Sequence, residues 1–130
     1  MRILNLTQHC ATPDQLAAGV IDLPEEFRQE LLELLTFEQL PDADELKRRA
    51  WRVVCLADHY VGAAAMIGGA PFFMAPLESA LRRAGWRVLY AFSRRESVEE
   101  TQPDGSVRKT NVFRHVGFVE ASDPTPRATA

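Results

Sequence analysis

The sequence predicts an α/β domain whose sheet is mostly parallel and which ends in a C-terminal β-hairpin. Two runs without a charged side chain, residues 61–67 and 88–92, are typical of buried parallel strands, and the segment between them has the apolar spacing of a helix. Because strand–helix–strand crossovers leave their two strands parallel, we expect these runs to lie in one sheet. The hairpin is predicted from Pro103-Asp104-Gly105, in which Pro restricts φ, Asp bonds the backbone and Gly adopts a positive φ.

The bulk properties indicate one globular domain, residues 1–120, followed by a tail, residues 121–130, that we expect to be disordered. Of the 130 residues, 46% are apolar and 25% charged, and the formal charge of −3 gives no reason to expect duplex DNA or a membrane surface as a partner. The sequence has no apolar run long enough to span a bilayer and no signal-peptide core, so a cytoplasmic location is expected. Two cysteines, Cys10 and Cys55, do not make a disulfide framework.

The chain begins with a short strand and a short helix. Residues 3–7 have a strand-like pattern. Thr12 can cap the helix that follows, Pro13 suits its first position and Gln15 completes a capping box. Gly19 is expected to end this helix.

Two longer helices are expected next. Pro24-Glu25-Glu26 begins the first of them, because carboxylates stabilise a helix N-terminus. Its apolar residues recur at helical spacing, at Phe27, Leu31, Leu34 and Leu35. Residues 37–40 could form a short strand that Pro41 ends. Asp42 and Asp44 are candidate caps for the next helix. Its apolar stripe consists of Leu46, Ala50, Val53, Val54 and Ala57.

The helix between the two uncharged runs has two possible starts, because a proline is best tolerated in the first turn. Either it begins near Pro71 and kinks at Pro76, or residues 70–74 form a loop and Pro76 lies in the first turn; we favour the second. Gly85 is expected to end this helix. The hairpin arms are expected at residues 97–102 and 106–112, with a further strand at 116–119.

Polar and glycine-rich segments follow three of the expected strands. In a parallel sheet, the carboxyl ends of the strands at 3–7, 61–67 and 88–92 would share one edge, and open α/β sheets bind ligands at that edge. The segments that follow them are Gln8-His9-Cys10, Gly68-Gly69-Ala70-Pro71 and Ser93-Arg94-Arg95. The sequence therefore predicts a binding site where these three segments meet.

The residue types in these segments suit an anionic ligand. Gly68 and Gly69 let backbone N–H groups approach closely, and a helix N-terminus follows them. Arg94 and Arg95 can bind phosphate through their planar forks, although strand alternation turns one of them away. His9 can act as a general acid or base. Cys10 is left open as a nucleophile, since a reactive thiolate needs an activating environment.

The C-terminal third resembles the end of the stand-alone CARF-like ring nucleases of type III CRISPR systems. The resemblance lies in residues 90–95, 98–100, 103–109 and 112–118. The start is loosely similar, in Asn5-Leu6-Thr7-Gln8-His9 and Thr12-Pro13-Asp14-Gln15. The resemblance implies a Rossmann-like (CARF-like), three-layer α/β domain that forms a homodimer. It also implies that cyclic oligoadenylate binds across the two-fold axis, with neither a cofactor nor a metal.

The resemblance also implies a reaction, in which a ribose 2′-hydroxyl attacks the adjacent phosphate without metal and so switches off signalling. The protein then has to hold the hydroxyl in line and stabilise the charged transition state. By position, the candidate catalytic residues are His9, Arg94 and Arg95. The candidate ligand-binding residues are Asn5, Thr7, Gln8, Gly68, Gly69, Ala70 and Ser93.

Three other functions are compatible with the same residues. The domain could bind a nucleotide as a sensor without cleaving it. It could be a nucleoside N-glycosidase or deoxyribosyltransferase-like enzyme that uses Glu78. It could also be an interaction protein whose hairpin only builds a dimer.

Overall fold

In the computed structural model, the described residues are 2–60, 62 and 64–122. They form five strands and four helices: β1 (Ile3–Leu6), α1 (Pro13–Ala17), β2 (Val20–Asp22), α2 (Glu25–Leu35), α3 (Ala43–Ala57), β3 (Ala64–Ile67), α4 (Pro71–Arg83), β4 (Arg87–Thr101) and β5 (Val107–Ala121). The strand order is β2-β1-β3-β4-β5. In this described part of the chain, no helix is both long enough and apolar enough to cross a membrane.

The sheet is mixed, which corrects the expectation of a mostly parallel one. β2, β1, β3 and β4 run parallel, but their ladders span only three or four residues per strand. β4 and β5 pair antiparallel over residues 88–101 and 107–121. Antiparallel strands joined by a tight turn can continue pairing as far as both chains stay extended. Two parallel strands, in contrast, must be joined by a longer crossover connection.

β4 and β5 are each one continuous strand, although the sequence predicts two pieces for each. β4 passes through Ser93-Arg94-Arg95 without a break, because a two-stranded ladder with both faces exposed to solvent tolerates polar side chains at every position. β3 pairs with β4 only as far as Leu89, so β5 is the only described strand that pairs with β4 from Tyr90 onward. We call this part of the hairpin, residues 90–119, the β-arm.

The turn of the β-arm forms as predicted. Gly105 has a φ of 87°, and its N–H donates to the Gln102 carbonyl at 2.9 Å. The Asp104 carboxylate accepts from the backbone N–H of Ser106, and the hydrogen bonds from Ser106 lower the pKa of Asp104. Proline, carboxylate and glycine therefore play the parts that their positions indicate.

The two faces of the sheet are covered unequally. α2, α3 and α4 pack on one face, where Leu6, Ile67 and Val88 are buried with the apolar sides of the helices. The other face holds a smaller cluster, built on Ile3, Val20, Ala64, Met66 and Leu89. Its cover is thin: Ala11 and Phe118 pack against it, and the five-residue α1 contacts β2 and β5. The predicted third layer is thus reduced to one short helix.

Several helix ends confirm the sequence signals. Thr12 and Gln15 form the capping box of α1, and the Asp42 side chain caps α3 by accepting from the Glu45 N–H. At the end of α4, Gly85 has a φ of 92°, and the N–H groups of Gly85 and Trp86 bond the carbonyls of Arg82 and Leu81. This pattern is the Schellman motif, which glycine favours.

The favoured start of α4 is wrong: the helix begins at Pro71, and Pro76 lies inside it. Pro71 at the first position loses no helical hydrogen bond, and Phe73 is 1% exposed, so its ring anchors this first turn to the core. The Phe73 ring packs edge-on against Phe37. Burial of an aromatic side chain thus outweighs the cost of one internal proline.

Other differences concern short or terminal segments. The described residues 37–40 form no strand, while the three-residue β2 was not predicted because it is too short to show periodicity. Val61 and Ala63 of the expected strand 61–67 lie outside the described residues, as do residues 123–130 of the expected tail. Ala121, which the sequence assigns to that tail, lies in β5 and pairs with Val88 of β4.

Replacing Phe73 tests the start of α4. Phe73→Ala should lower the free energy of unfolding by about 3–5 kcal/mol, because it leaves a cavity under the first helical turn. The neighbouring Phe72 is 48% exposed, so Phe72→Ala should cost only about 1 kcal/mol. Urea denaturation followed by circular dichroism measures both. Equal losses would contradict a helix that begins at Pro71.

Candidate functional site

A crevice opens at the carboxyl ends of the neighbouring strands β1 and β3. β1 pairs with β2 on one side and with β3 on the other, so the carboxyl ends of β1 and β3 form a topological switch point. The last paired residues are Leu6 and Ile67, and Thr7 and Gly68 follow them directly. The crevice has a volume of about 460 Å³. Its lining residues are Thr7, Gln8, His9, Cys10, Thr12, Gln15, Met66, Ile67, Gly68, Gly69, Tyr90 and Ala91.

The loop after β1 is shaped by the buried side chain of Asn5, which is 0% exposed. Its Nδ2 donates to the His9 carbonyl at 2.8 Å and to Asp22 Oδ1 at 2.7 Å. Its Oδ1 accepts from the Thr7 N–H at 3.0 Å and from the Thr7 hydroxyl at 2.7 Å. Asp22 in turn accepts from the Ala11 N–H at 3.0 Å. This network fixes the path of residues 7–11 over the carboxyl end of the sheet.

The network changes the role of two candidate ligand-binding residues. Both donors and both acceptor positions of Asn5 are occupied within the protein, so in this structure Asn5 shapes the loop of the site and offers no free hydrogen-bonding group. The Thr7 hydroxyl also bonds Asn5, although Thr7 lines the crevice. His9 and Cys10 are exposed on the same loop and line the crevice. The Asn5 network thus brings His9 to the edge of the sheet where the sequence predicts it.

Gln8 connects the loop to α2. Its Nε2 donates to the Leu35 carbonyl at 3.2 Å, and its own carbonyl accepts from Arg28 Nη2 at 2.9 Å. Arg28 is only 9% exposed, and its Nη1 has no hydrogen-bond partner among the described residues. A buried cation therefore holds the backbone of a crevice residue. Nothing in the sequence distinguishes Arg28 from a surface arginine, so it was not predicted.

The second wall of the crevice is Gly68-Gly69. Gly69 has a φ of 145°, a conformation that side chains other than glycine rarely adopt, and α4 begins two residues later. No described side chain caps the N-terminus of α4. Ala70 packs against the hydrophobic core and is not among the described residues that line the crevice. Of the three predicted residues, Gly68 and Gly69 line the crevice, and Ala70 packs against the core instead.

A second, smaller groove lies between α1 and the β-arm. It has a volume of about 300 Å³ and is lined by Thr12, Pro13, Asp14, Gln15, Ser93, Phe113 and His115. Thr12 and Gln15 line both cavities, so the groove is adjacent to the crevice. We call this part the arm groove. Ser93 thus lies beside the site, but on a strand and not in a loop after one.

Arg94 and Arg95 are separated by strand alternation. Neither is among the described residues that line the crevice or the arm groove. Arg95 pairs with Phe113 in register, and its guanidinium carbon lies 5.7 Å from the centre of the Phe113 ring, at the end of the arm groove. Arg94 pairs with Arg114 on the opposite face. Only Arg95 is on the face that carries Ser93 and His115.

Glu78 lies away from the crevice. It lines a separate groove with Arg82, Arg83 and Arg87 at the other edge of the sheet. The Tyr90 hydroxyl donates to the Glu78 carboxylate at 3.0 Å. Burial, together with this carboxylate, raises the pKa of Tyr90 strongly, so Tyr90 stays neutral. Glu78 is therefore engaged in packing α4 on β4, and this geometry does not favour a glycosidase role.

No group of three or more His, Cys, Asp or Glu side chains that could hold a metal ion occurs among the described residues. In a comparison with protein families, the model of the family described as "Uncharacterized protein MJ1673 family" matches residues 1–119. A search of curated proteins found no significant match, and a search of solved structures found none either.

The Asn5 network predicts a large effect from an isosteric change. Asn5→Asp should lower the free energy of unfolding by about 3 kcal/mol or more, because a buried carboxylate would face Asp22 and the His9 carbonyl. The double variant Asn5→Asp/Asp22→Asn should recover much of that loss, since an amide at position 22 can donate to the new carboxylate. Thermal denaturation of both variants measures this. A single variant as stable as the original chain would show that the network does not hold the loop.

Proposed function

The chain belongs to the uncharacterized protein MJ1673 family, and we propose that it binds cyclic oligoadenylate at the switch-point crevice and cleaves it without metal. The observation that carries this proposal is the crevice itself. It lies at the carboxyl edge of the parallel strands, between the Asn5-held loop and the glycine turn before α4. The resemblance of the β-arm to CARF-like ring nucleases supports the choice of ligand.

The size of the crevice supports a ligand that is shared between two copies. Its volume of about 460 Å³ is within the range of small-molecule sites and suits part of a cyclic oligonucleotide. A ring with two-fold symmetry would place equivalent nucleotides in the crevices of two protomers. The β-arm offers apolar surface for such a homodimer, since Val107, Val116 and Val119 are all more than half exposed.

The proposed reaction needs only groups of the ligand and side chains near the crevice. The ribose 2′-oxygen attacks the adjacent phosphorus, and the P–O5′ bond breaks. The 2′-hydroxyl gives its proton to a base, and the departing 5′-oxygen takes up a proton, so that a 2′,3′-cyclic phosphate and a 5′-hydroxyl result. In this proposal His9, which lines the crevice, moves these protons, because an imidazole ring can both accept and donate a proton.

Fixed positive charge supports the transition state in this proposal. Arg95 lies at the end of the arm groove, where its guanidinium can reach a phosphate between two nucleotides. The backbone N–H groups near Gly68 and Gly69 supply further donors. Arg94 is on the opposite face of the arm, so we assign it no part in one protomer's site.

The first experiment incubates the protein with cyclic tetra-adenylate, with and without EDTA. We expect linear products that end in a 2′,3′-cyclic phosphate, formed at the same rate in both samples, and mass spectrometry identifies them. Binding without turnover would favour the sensor function. Release of free adenine would favour a glycosidase. If neither binding nor products are found, the proposal is wrong.

The second experiment compares three variants in that assay. His9→Ala should lower the cleavage rate about 100-fold or more, since proton transfer by a placed side chain contributes at least that much. Arg95→Ala should lower it about tenfold or more, because it removes a charged contact to phosphate. Arg94→Ala, an equally exposed arginine next to it, is the matched control and should retain the original rate. Equal rates in all three would refute this site.

A further inference from the structure

We infer that the arm groove is a nucleobase-stacking subsite, so that the protein reads two consecutive nucleotides and not one. This inference rests on the proposed function, because it extends the ligand from the crevice into the groove. The adjacency of the two cavities carries it. Thr12 and Gln15 line both, so a ligand that fills the crevice lies next to the groove that Ser93 and the β-arm line.

The walls of the arm groove suit a base better than a phosphate. The Phe113 side chain is 69% exposed and lines the groove, so its ring is accessible to a ligand there. Arg95 lies over this ring with its guanidinium carbon 5.7 Å from the ring centre. An aromatic ring beside an arginine is the combination on which proteins stack single-stranded bases.

The polar groups of the groove point to the same ligand class. Asp14 would repel a phosphate, but its carboxylate can accept from the exocyclic amino group of adenine. Ser93 and Gln15 add a hydroxyl and an amide, which can bond the edge of a base. The phosphate between the two nucleotides would then lie near Arg95.

His115 is a further uncommitted group in this groove. Its ring packs against Phe118 with the ring centres 4.8 Å apart, and its Nδ1 has no hydrogen-bond partner among the described residues. Since polar atoms away from water are normally paired, a ligand group would complete the contacts of this imidazole. Its register opposite Ser93 depends on the β-bulge next to Phe92, where β5 contains one extra residue.

The test compares the binding of AMP and of a 5′-phosphorylated linear diadenylate by calorimetry. The original chain should bind the dinucleotide about tenfold more tightly than AMP, the gain expected from stacking one base. Phe113→Ala should remove that gain and leave the affinity for AMP unchanged, while Phe113→Tyr should keep it. Phe92→Ala is the matched control, because Phe92 is 51% exposed on the same arm but precedes Ser93 and so faces the other way.

The outcomes separate this inference from the proposed function. If the original chain binds cyclic tetra-adenylate but Phe113→Ala binds the dinucleotide as tightly as the original chain does, the stacking subsite is wrong and the proposed function stands. An equal loss in Phe92→Ala would also overturn the subsite, since the effect would then not depend on the groove. If neither cyclic tetra-adenylate nor the dinucleotide binds, the proposed function fails and the subsite with it.

Discussion

The whole candidate site depends on one buried side chain, that of Asn5. Burial of an amide side chain costs free energy unless its donors and acceptors are paired. Here the two donors bond the His9 carbonyl and Asp22 of β2, and the oxygen accepts from the N–H and the hydroxyl of Thr7. The side chain thereby ties the loop 7–11 to two strands at once. His9 and Cys10 are held at the crevice by this backbone path, in which the His9 carbonyl accepts from Asn5. The same constraint leaves the Asn5 side chain no free hydrogen-bonding group to offer a ligand.

The second constraint is the unbroken hairpin. Since β4 passes through Ser93-Arg94-Arg95 as a strand, alternation assigns Ser93 and Arg95 to one face and Arg94 to the other, and Ser93 lines the arm groove with α1. A two-stranded ribbon has little stability alone, and this one gains support at its base from the sheet and from the contacts of Phe118 with the second core. The exposed apolar residues farther out remain available to a ligand or a second copy. The β-arm therefore extends the sheet and also supplies one wall of the arm groove.

Local signals account for the parts of the fold that were predicted. The capping box of Thr12 and Gln15, the cap of Asp42, the glycine at 85 and the turn at 103–105 act within a few residues, and the structure shows all of them. The failures involve longer distances. Pro76 was expected near a helix start, but burial of Phe73 against Phe37 decided where α4 begins. The polar run at 93–95 suggested a strand end, but pairing with β5 continued the strand.

By itself, the sequence determined the α/β class, the helices and the turn of the hairpin, and it identified the loop at 8–10 and the glycines at 68–69 as parts of one edge. These features follow from periodicity, capping and turn chemistry, which are encoded in neighbouring residues. Only the tertiary structure decided that Asn5 is a scaffold, that Arg28 is buried behind Gln8, and that His115 and Phe113 face α1. Each of these depends on the register and packing of segments far apart in the chain, where a shift of one residue turns a strand side chain to the opposite face.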